Sequence, residues 1–148
     1  MLLKTPIRRL EGVSWWVIEE PEAIRDFMNM EIRKEWEADA RSEHKDEKDD
    51  QWLKTLQSRK WRLGLMEINQ ITLNPKIMNY VDRKRGYVFL KSLAKRSEEL
   101  QRSVKLGGVV LSPLVVKSEG TQLVDGYCRY ATLKAMRVSR VYAYVGAL

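Results

Sequence analysis

Residues 114–131 constrain the fold most. Leu114-Val115-Val116-Lys117, a Glu119-Gly120 turn and Thr121-Gln122-Leu123-Val124-Asp125-Gly126-Tyr127-Cys128-Arg129-Tyr130-Ala131 follow one another without a break. They read as strand, tight turn, short strand, glycine and helix. A chain that switches period this fast belongs to a mixed α/β or α+β class. The layout also suits an anion. The first turn of a helix carries unpaired N–H groups at a positive dipole end. Gly126 permits a left-handed turn or a close backbone approach. Arg129 adds a forked donor that matches phosphate oxygens. A phosphate-bearing ligand is therefore expected at Asp125, Gly126, Tyr127, Cys128 and Arg129. The alternative is that Gly126 only turns the chain and Arg129 is a solvated helix charge.

At 148 residues the default is one domain with room for an added helical segment. A hydrophobic fraction of 44% argues against disorder throughout. No run of 18 apolar residues exists, so no spanning helix and no membrane partner are expected. The start, Met1-Leu2-Leu3-Lys4-Thr5-Pro6, has no apolar signal core, and the chain is expected to be cytoplasmic. One cysteine excludes an internal disulfide, and one cysteine with one histidine excludes a Cys/His zinc site. No metal site is expected from the residues. Charge is uneven. Residues 1–61 hold 12 Lys and Arg against 14 Asp and Glu, or −2. Residues 62–148 hold 15 against 6, or +9. A basic half of this kind favours polyanions, with solubility alone as the bland alternative.

Residues 7–18, with Val13, Trp15, Trp16, Val17 and Ile18, are β-prone. Glu19-Glu20-Pro21-Glu22 marks a helix start. Ile24, Phe27, Met28, Ile32 and Trp36 then recur at helical spacing and predict a helix over about 21–43. The charged stretch 42–50, which contains the solvated His44, forms a boundary. Asp49 or Asp50 would cap a second helix carrying Trp52, Leu53 and Leu56. Residues 62–73 read as a strand closed by Asn74-Pro75. Asp82-Arg83-Lys84-Arg85-Gly86 reads as a basic loop. Phe89, Leu93, Leu100 and Val104 predict an amphipathic helix over about 87–104, ended by Gly107-Gly108. Strands near 109–117 and 121–124, a helix over 126–137 and a strand over 140–145 complete the chain.

Arg83, Lys84, Arg85, Lys91, Lys95 and Arg102 are candidate nucleic-acid contacts, within a wider basic set that includes Arg96, Lys105, Lys134, Arg137 and Arg140. Several such cations neutralise several phosphates, and binding then falls steeply with salt. No base-reading helix pair is recognisable, so no sequence-specific DNA reading is expected. Cys128 is a small apolar residue or a thiol at a helix start. All the tryptophans lie within residues 1–61. Their expected use is to bury an N-terminal arm on the core or on a second copy of the chain.

Residues 62–148 resemble the ParB/sulfiredoxin superfamily. The resemblance rests on Leu65-Met66-Glu67-Ile68-Asn69-Gln70-Ile71 with Asn74-Pro75, on the helix ending at Gly107-Gly108, on Ser112-Pro113-Leu114-Val115-Val116-Lys117, and on Leu123-Val124-Asp125-Gly126 with Arg129 and Ala131, in that order. The sulfiredoxins carry Gly-Cys-His-Arg at this turn. Here Cys128 stands one place late and the histidine is missing. The free serine kinases carry Asp-Gly-His-His-Arg and then an aromatic residue. Asp125, Gly126, Arg129 and Tyr130 match them, while Tyr127 and Cys128 do not. Those kinases also place a glutamate base after the proline, where this chain has Pro75-Lys76-Ile77-Met78. Glu67, Glu98 or Glu99 would serve only if the fold brought one in. The chain stops where partition proteins would continue into a DNA-reading domain.

The resemblance implies an α+β fold, a ParB/sulfiredoxin-like mixed sheet with packed helices over 62–148, to which the helical spacing of the earlier residues adds an N-terminal helical extension over 1–61. It implies binding of nucleotide or nucleic-acid phosphates, with ATP, ADP or CTP and Mg²⁺ as candidate cofactors. Two other function classes follow. One is a small phosphotransferase or nucleotide hydrolase. The other is a protein-interaction module with a decayed site. A homo-oligomer through the N-terminal arm is a further expectation.

Overall fold

The computed structural model describes residues 6–34 and 56–148. The predictions for His44, Trp36 and Trp52, and the later part of the 21–43 helix, lie outside the described residues. The chain opens with a hairpin, β1 (Ile7–Leu10) and β2 (Val13–Trp16), in which Ile7 pairs with Trp16. Helix α1 (Pro21–Phe27) starts at its proline and runs into a π turn over Met28–Ile32. Residues 56–58 are helical and lead into β3 (Lys60–Glu67). After a 3₁₀ turn (Ile68–Gln70) come α2 (Pro75–Met78), a small hairpin of β4 (Val81–Asp82) and β5 (Tyr87–Val88), and the long helix α3 (Phe89–Leu106). Strands β6 (Val110–Leu111), β7 (Leu114–Lys117) and β8 (Gln122–Asp125), helix α4 (Tyr127–Ala135) and β9 (Arg140–Ala147) follow.

The main sheet has the order β3-β9-β7-β8. β9 is antiparallel to β3 and parallel to β7, so the sheet is mixed. A second sheet, β1-β2-β6, joins the N-terminal hairpin to the middle of the chain through a parallel β2–β6 pair. The fold is thus α+β, with mixed sheets and packed helices.

Period-2 alternation sends neighbouring side chains of β7 into different layers. Leu114 and Val116 enter one core with Leu93 of α3 and Leu133 of α4. Val115 enters the other with Ile24, Met28, Leu56, Trp61 and Tyr144. The sheet therefore has α3 and α4 on one face and α1 on the other. Burying each such large apolar side chain contributes about 1.5–3 kcal/mol. Trp15 is fully buried in the first core, so part of the N-terminal segment is integral to it. The described members of the predicted arm stripe, Ile24, Phe27 and Met28, pack on the same chain.

Several predicted boundaries move. The strand expected over 62–73 ends at Glu67. The Ile68 amide turns to the Ser139 carbonyl at 2.9 Å, and a 3₁₀ turn buries both Ile68 and Ile71. The strand expected over 109–117 is two strands, because Ser112-Pro113 interrupts the ladder and proline has no N–H to give it. The last helix spans Tyr127–Ala135, shorter than 126–137, and the last strand runs on to Ala147. Helix α3 begins at Phe89 and extends two residues beyond 104.

Candidate functional site

The site is built where β8 hands over to α4. Gly126 sits in the left-handed region at φ 104°, ψ 27°. A Cβ there would lie 2.8 Å from Arg129 Nη2 and 2.9 Å from Leu114 Cδ2. Both the turn and the close packing require glycine. The first backbone bond of α4 runs from the Tyr130 amide to the Gly126 carbonyl at 2.8 Å. The amides of Tyr127, Cys128 and Arg129 precede it, and these are the donors that a helix start leaves without intrahelical partners. The cap residue, Gly126, has no side chain to close this end.

Arg129 points back across the turn. Its Nη1 donates to the Ser112 carbonyl at 2.6 Å and the Pro113 carbonyl at 2.8 Å. Its Nη2 donates to Asp125 Oδ2 at 3.2 Å. The guanidinium therefore fastens the β6–β7 bend to the start of α4. It also remains 18% exposed. Tyr127 is a buried post: its hydroxyl donates to the Leu123 carbonyl and accepts from the Asn74 amide, each at 3.1 Å. Burial raises its pKa above the ordinary tyrosine value. Asn74 in turn caps α2, its Oδ1 accepting from the Lys76 amide at 3.0 Å. The Asn74-Pro75 motif is thus tied to the Gly126 turn through Tyr127.

These residues form the floor of an open cleft of about 870 Å³. Phe89, Ser92, Arg96 and Leu100 of α3 make one wall, and residues 109–113 make another. Trp16 and Phe27 also line it. Arg96 is exposed; its Nε donates to Ser92 Oγ at 3.2 Å and its guanidinium lies 5.9 Å over the Phe89 ring. Cys128 is half-buried in the lining. Among the described lining residues, Asp125 supplies the only carboxylate, and Glu67, Glu98 and Glu99 are not among them. Among the described residues, no three His, Cys, Asp or Glu side chains are grouped to hold a metal ion.

The structure brings Asp125, Gly126, Tyr127, Cys128 and Arg129 together in this cleft. It places the other basic candidates elsewhere. Arg83, Lys84 and Arg85 occupy the exposed turn of the β4–β5 hairpin, with Arg85 3.8 Å from Asp82. Lys91, Lys95 and Arg102 project from one exposed side of α3, separated from 91 by four and eleven residues and so spread over about 16 Å. Glu98 falls on the same side and dilutes its charge. Sequence reasoning placed Arg96 in the general basic set and missed its place in the cleft. The available signal was its spacing: Phe89, Ser92 and Arg96 recur at the intervals that share one helix side. Trp16 and Phe27 gave no signal for the site, because only tertiary folding brings them to it. Among the described residues, no helix is long and apolar enough to cross a membrane.

No protein-family model matches the chain, and no curated protein does. Among solved structures, the fold is similar to that of a pNOB8-like ParB N-domain, in two structures. One has 15% identity and a TM-score of 0.44, covering 62% of this chain and 31% of that one. The other has 14% identity and a TM-score of 0.42, covering 62% and 29%. It is similar also to the C-terminally truncated chromosome-partitioning protein ParB from Caulobacter crescentus, complexed with CTPγS. There the identity is 20%, the TM-score 0.38, and the coverage 58% of this chain and 44% of that one. The chain spans less than half the length of each of these structures.

Proposed function

We propose that the chain binds the phosphate of a nucleotide or nucleic acid in the cleft at the start of α4. One observation carries this reading: an uncapped helix start opens into a cleft that two guanidinium groups border. The Tyr127 and Cys128 amides meet the anion, and Gly126 leaves room for it. Arg129 contributes the donors not spent on Ser112, Pro113 and Asp125, and Arg96 closes from α3. The exposed cations on the β4–β5 hairpin and α3 extend the attraction to longer polyanions, without a base-reading element.

A phosphotransferase reading fits less well. It needs a general base in reach of a hydroxyl. Among the described residues, the one carboxylate in the cleft, Asp125, is already paired with Arg129 at 3.2 Å.

The test is isothermal titration of ATP, ADP, CTP and inorganic phosphate, each with and without Mg²⁺. Losing a charged hydrogen-bond partner costs about 1.5–3 kcal/mol, or roughly ten- to a hundredfold in affinity. Arg96→Ala should weaken phosphate-ligand binding by that factor. Arg137→Gln, beyond the end of α4, should change it little. Equal losses would point to a diffuse basic surface and remove the pocket. A salt titration with an oligonucleotide should show affinity falling steeply as salt rises; a flat response would remove the electrostatic term.

A further inference from the structure

The cleft has an internal arrangement that a bare phosphate site does not need. Two aromatic pairs border it. Phe89 meets Tyr127 edge to face, with centroids 5.8 Å apart and planes at 84°. Trp16 meets Phe27 in the same way, at 5.4 Å and 82°. An edge-to-face pair leaves the faces of the edge-on ring uncovered by its partner. Trp16, Phe27 and Phe89 are half-buried and line the cleft, and the Arg96 guanidinium lies over the Phe89 ring. Arg129 belongs to both sides. It follows Tyr127 on α4 and holds Ser112 and Pro113. Its charge also reaches Tyr144, which packs 5.8 Å from Phe27.

The charge of the cleft narrows the occupant. Among the described lining residues, Arg96 and Arg129 stand against Asp125, a net of +1. A phosphodiester carries about −1 per phosphate. A terminal phosphate alone carries about −1.5 to −2, and a nucleoside triphosphate several charges more. One net positive charge between two aromatic borders matches one internal phosphodiester between two bases. The volume of about 870 Å³ lies in the upper part of the range for ligand clefts, about 300–1,000 Å³, which leaves room for more than one nucleotide. Outside, the hairpin turn of Arg83, Lys84 and Arg85 precedes Tyr87 and Phe89 at the cleft edge and offers further phosphates a path.

We infer that the cleft takes a single-stranded nucleic acid: one base stacks against Phe89 in place of the Arg96 guanidinium, which swings to its phosphate, the next base stacks against Trp16, and the linking phosphodiester lies beside Arg129. This rests on the phosphate reading above and chooses its ligand class. Duplex DNA does not fit, because its bases are stacked on one another and offer no free faces. Stacking of this kind tolerates any base, since every base has a π-face.

The test is fluorescence anisotropy with a labelled 12-nucleotide oligothymidylate, the same sequence annealed to its complement, and unlabelled ATP and CTP as competitors. The single strand should bind more tightly than the duplex. Base–aromatic stacking is worth about 1–3 kcal/mol, so Trp16→Leu and Phe89→Leu should each lower single-strand affinity roughly five- to a hundredfold. Trp16→Phe and Phe89→Tyr keep a ring and should bind close to the parent, which separates lost stacking from lost packing. Duplex binding equal to or above single-strand binding overturns the inference whatever the variants do. So does parental affinity in both leucine variants. In either case, mononucleotide binding that still depends on Arg96 leaves the phosphate site standing. Failure of both nucleotides and oligonucleotides to bind removes the two readings together.

Discussion

The chain holds two well-connected arginines, and they are used differently. Arg59 lies at the closed end of the main sheet, with its side chain 6% exposed. It grips Glu119 through both terminal nitrogens at 2.6 Å each, and Nη1 also donates to the Gly146 carbonyl at 3.1 Å. Arg129 lies at the open end beside the cleft and three times as exposed, with donors divided between two carbonyls and a carboxylate at 3.2 Å. Around Arg59 there is no room: a Cβ on Gly146 would come within 2.7 Å of the Trp61 ring and 3.0 Å of Arg59 Cδ. Beside Arg129 lies a cleft. An arginine that forks both terminal nitrogens onto a carboxylate and is sealed by packing is a staple. One that shares carbonyls and keeps an exposed edge positions a turn and still has donors to offer.

The sharpest way to break this contrast is at the sealed end. Arg59→Ala strips a buried side chain of its bonds and leaves a void against Trp61. Such losses cost about 2–4 kcal/mol. Urea unfolding should show the midpoint moving by that amount while the phosphate affinity of the folded protein stays unchanged. A coupled loss of both would mean that the two ends of the sheet are not independent. Gly126→Ala should come next. It forces a Cβ into the left-handed region and against Arg129 and Leu114, at a cost of about 1–3 kcal/mol. Here stability and ligand binding should fall together, because the same guanidinium is displaced.

How much of this was legible beforehand follows from range along the chain. The α3 stripe of Phe89, Leu93, Leu100 and Val104, its Gly107-Gly108 stop, and the left-handed Gly126 are local features, and the sequence announced each of them. The Asn74-Pro75 start of α2 is local too: the asparagine caps the turn that the proline opens. What escaped is non-local. Arg129 finds its carbonyl partners 16 and 17 residues back, Arg59 its carboxylate 60 residues on, and Glu11 its partners 128 and 129 residues on. No periodicity encodes such pairs. The joint lining of the cleft by Phe89 and Trp16 escaped for the same reason, since β2 is carried to the middle of the chain by the parallel β2–β6 ladder. The sequence predicts a strand through 73 because Ile68 and Ile71 are apolar and β-prone, yet a 3₁₀ turn buries them.

A smaller effect sharpens the comparison at the open end. Arg129→Lys keeps the charge but cannot reproduce a fork onto Ser112, Pro113 and Asp125 together. About 1 kcal/mol of stability should go, within the usual range for a net hydrogen bond. Phosphate binding should weaken less than in Arg96→Ala if Arg129 chiefly positions the turn. A larger loss in Arg129→Lys than in Arg96→Ala would make Arg129 the principal ligand and reverse that assignment.

The smallest effect is confined to acid and distinguishes two clamps that the chain builds outside the cleft. Hydrogen bonding from Arg59 holds the Glu119 carboxyl down at about 2, and hydrogen bonding from the Ser139 hydroxyl does the same for Glu11. Glu11 ties the β1–β2 turn to the start of β9, accepting from the Ser139 amide and hydroxyl and from the Arg140 amide. Both folded values lie below the ordinary 4.5, so the folded state binds fewer protons than the unfolded one. Their stabilisation is therefore complete above about pH 4.5 and drains away as pH falls through the interval towards 2. Both side chains are solvent-facing, so screening keeps each contribution modest, and added salt should reduce it further. Glu119→Gln and Glu11→Gln should each flatten the fall in melting temperature between pH 4.5 and 2.5, with little change in its slope above pH 6. The double variant should flatten it by the sum, since the two clamps share no partner. An unchanged acid slope in the double variant would show that other carboxyl groups govern acid unfolding, and that the bidentate Arg59 staple draws its strength from packing and not from the ionised state of Glu119.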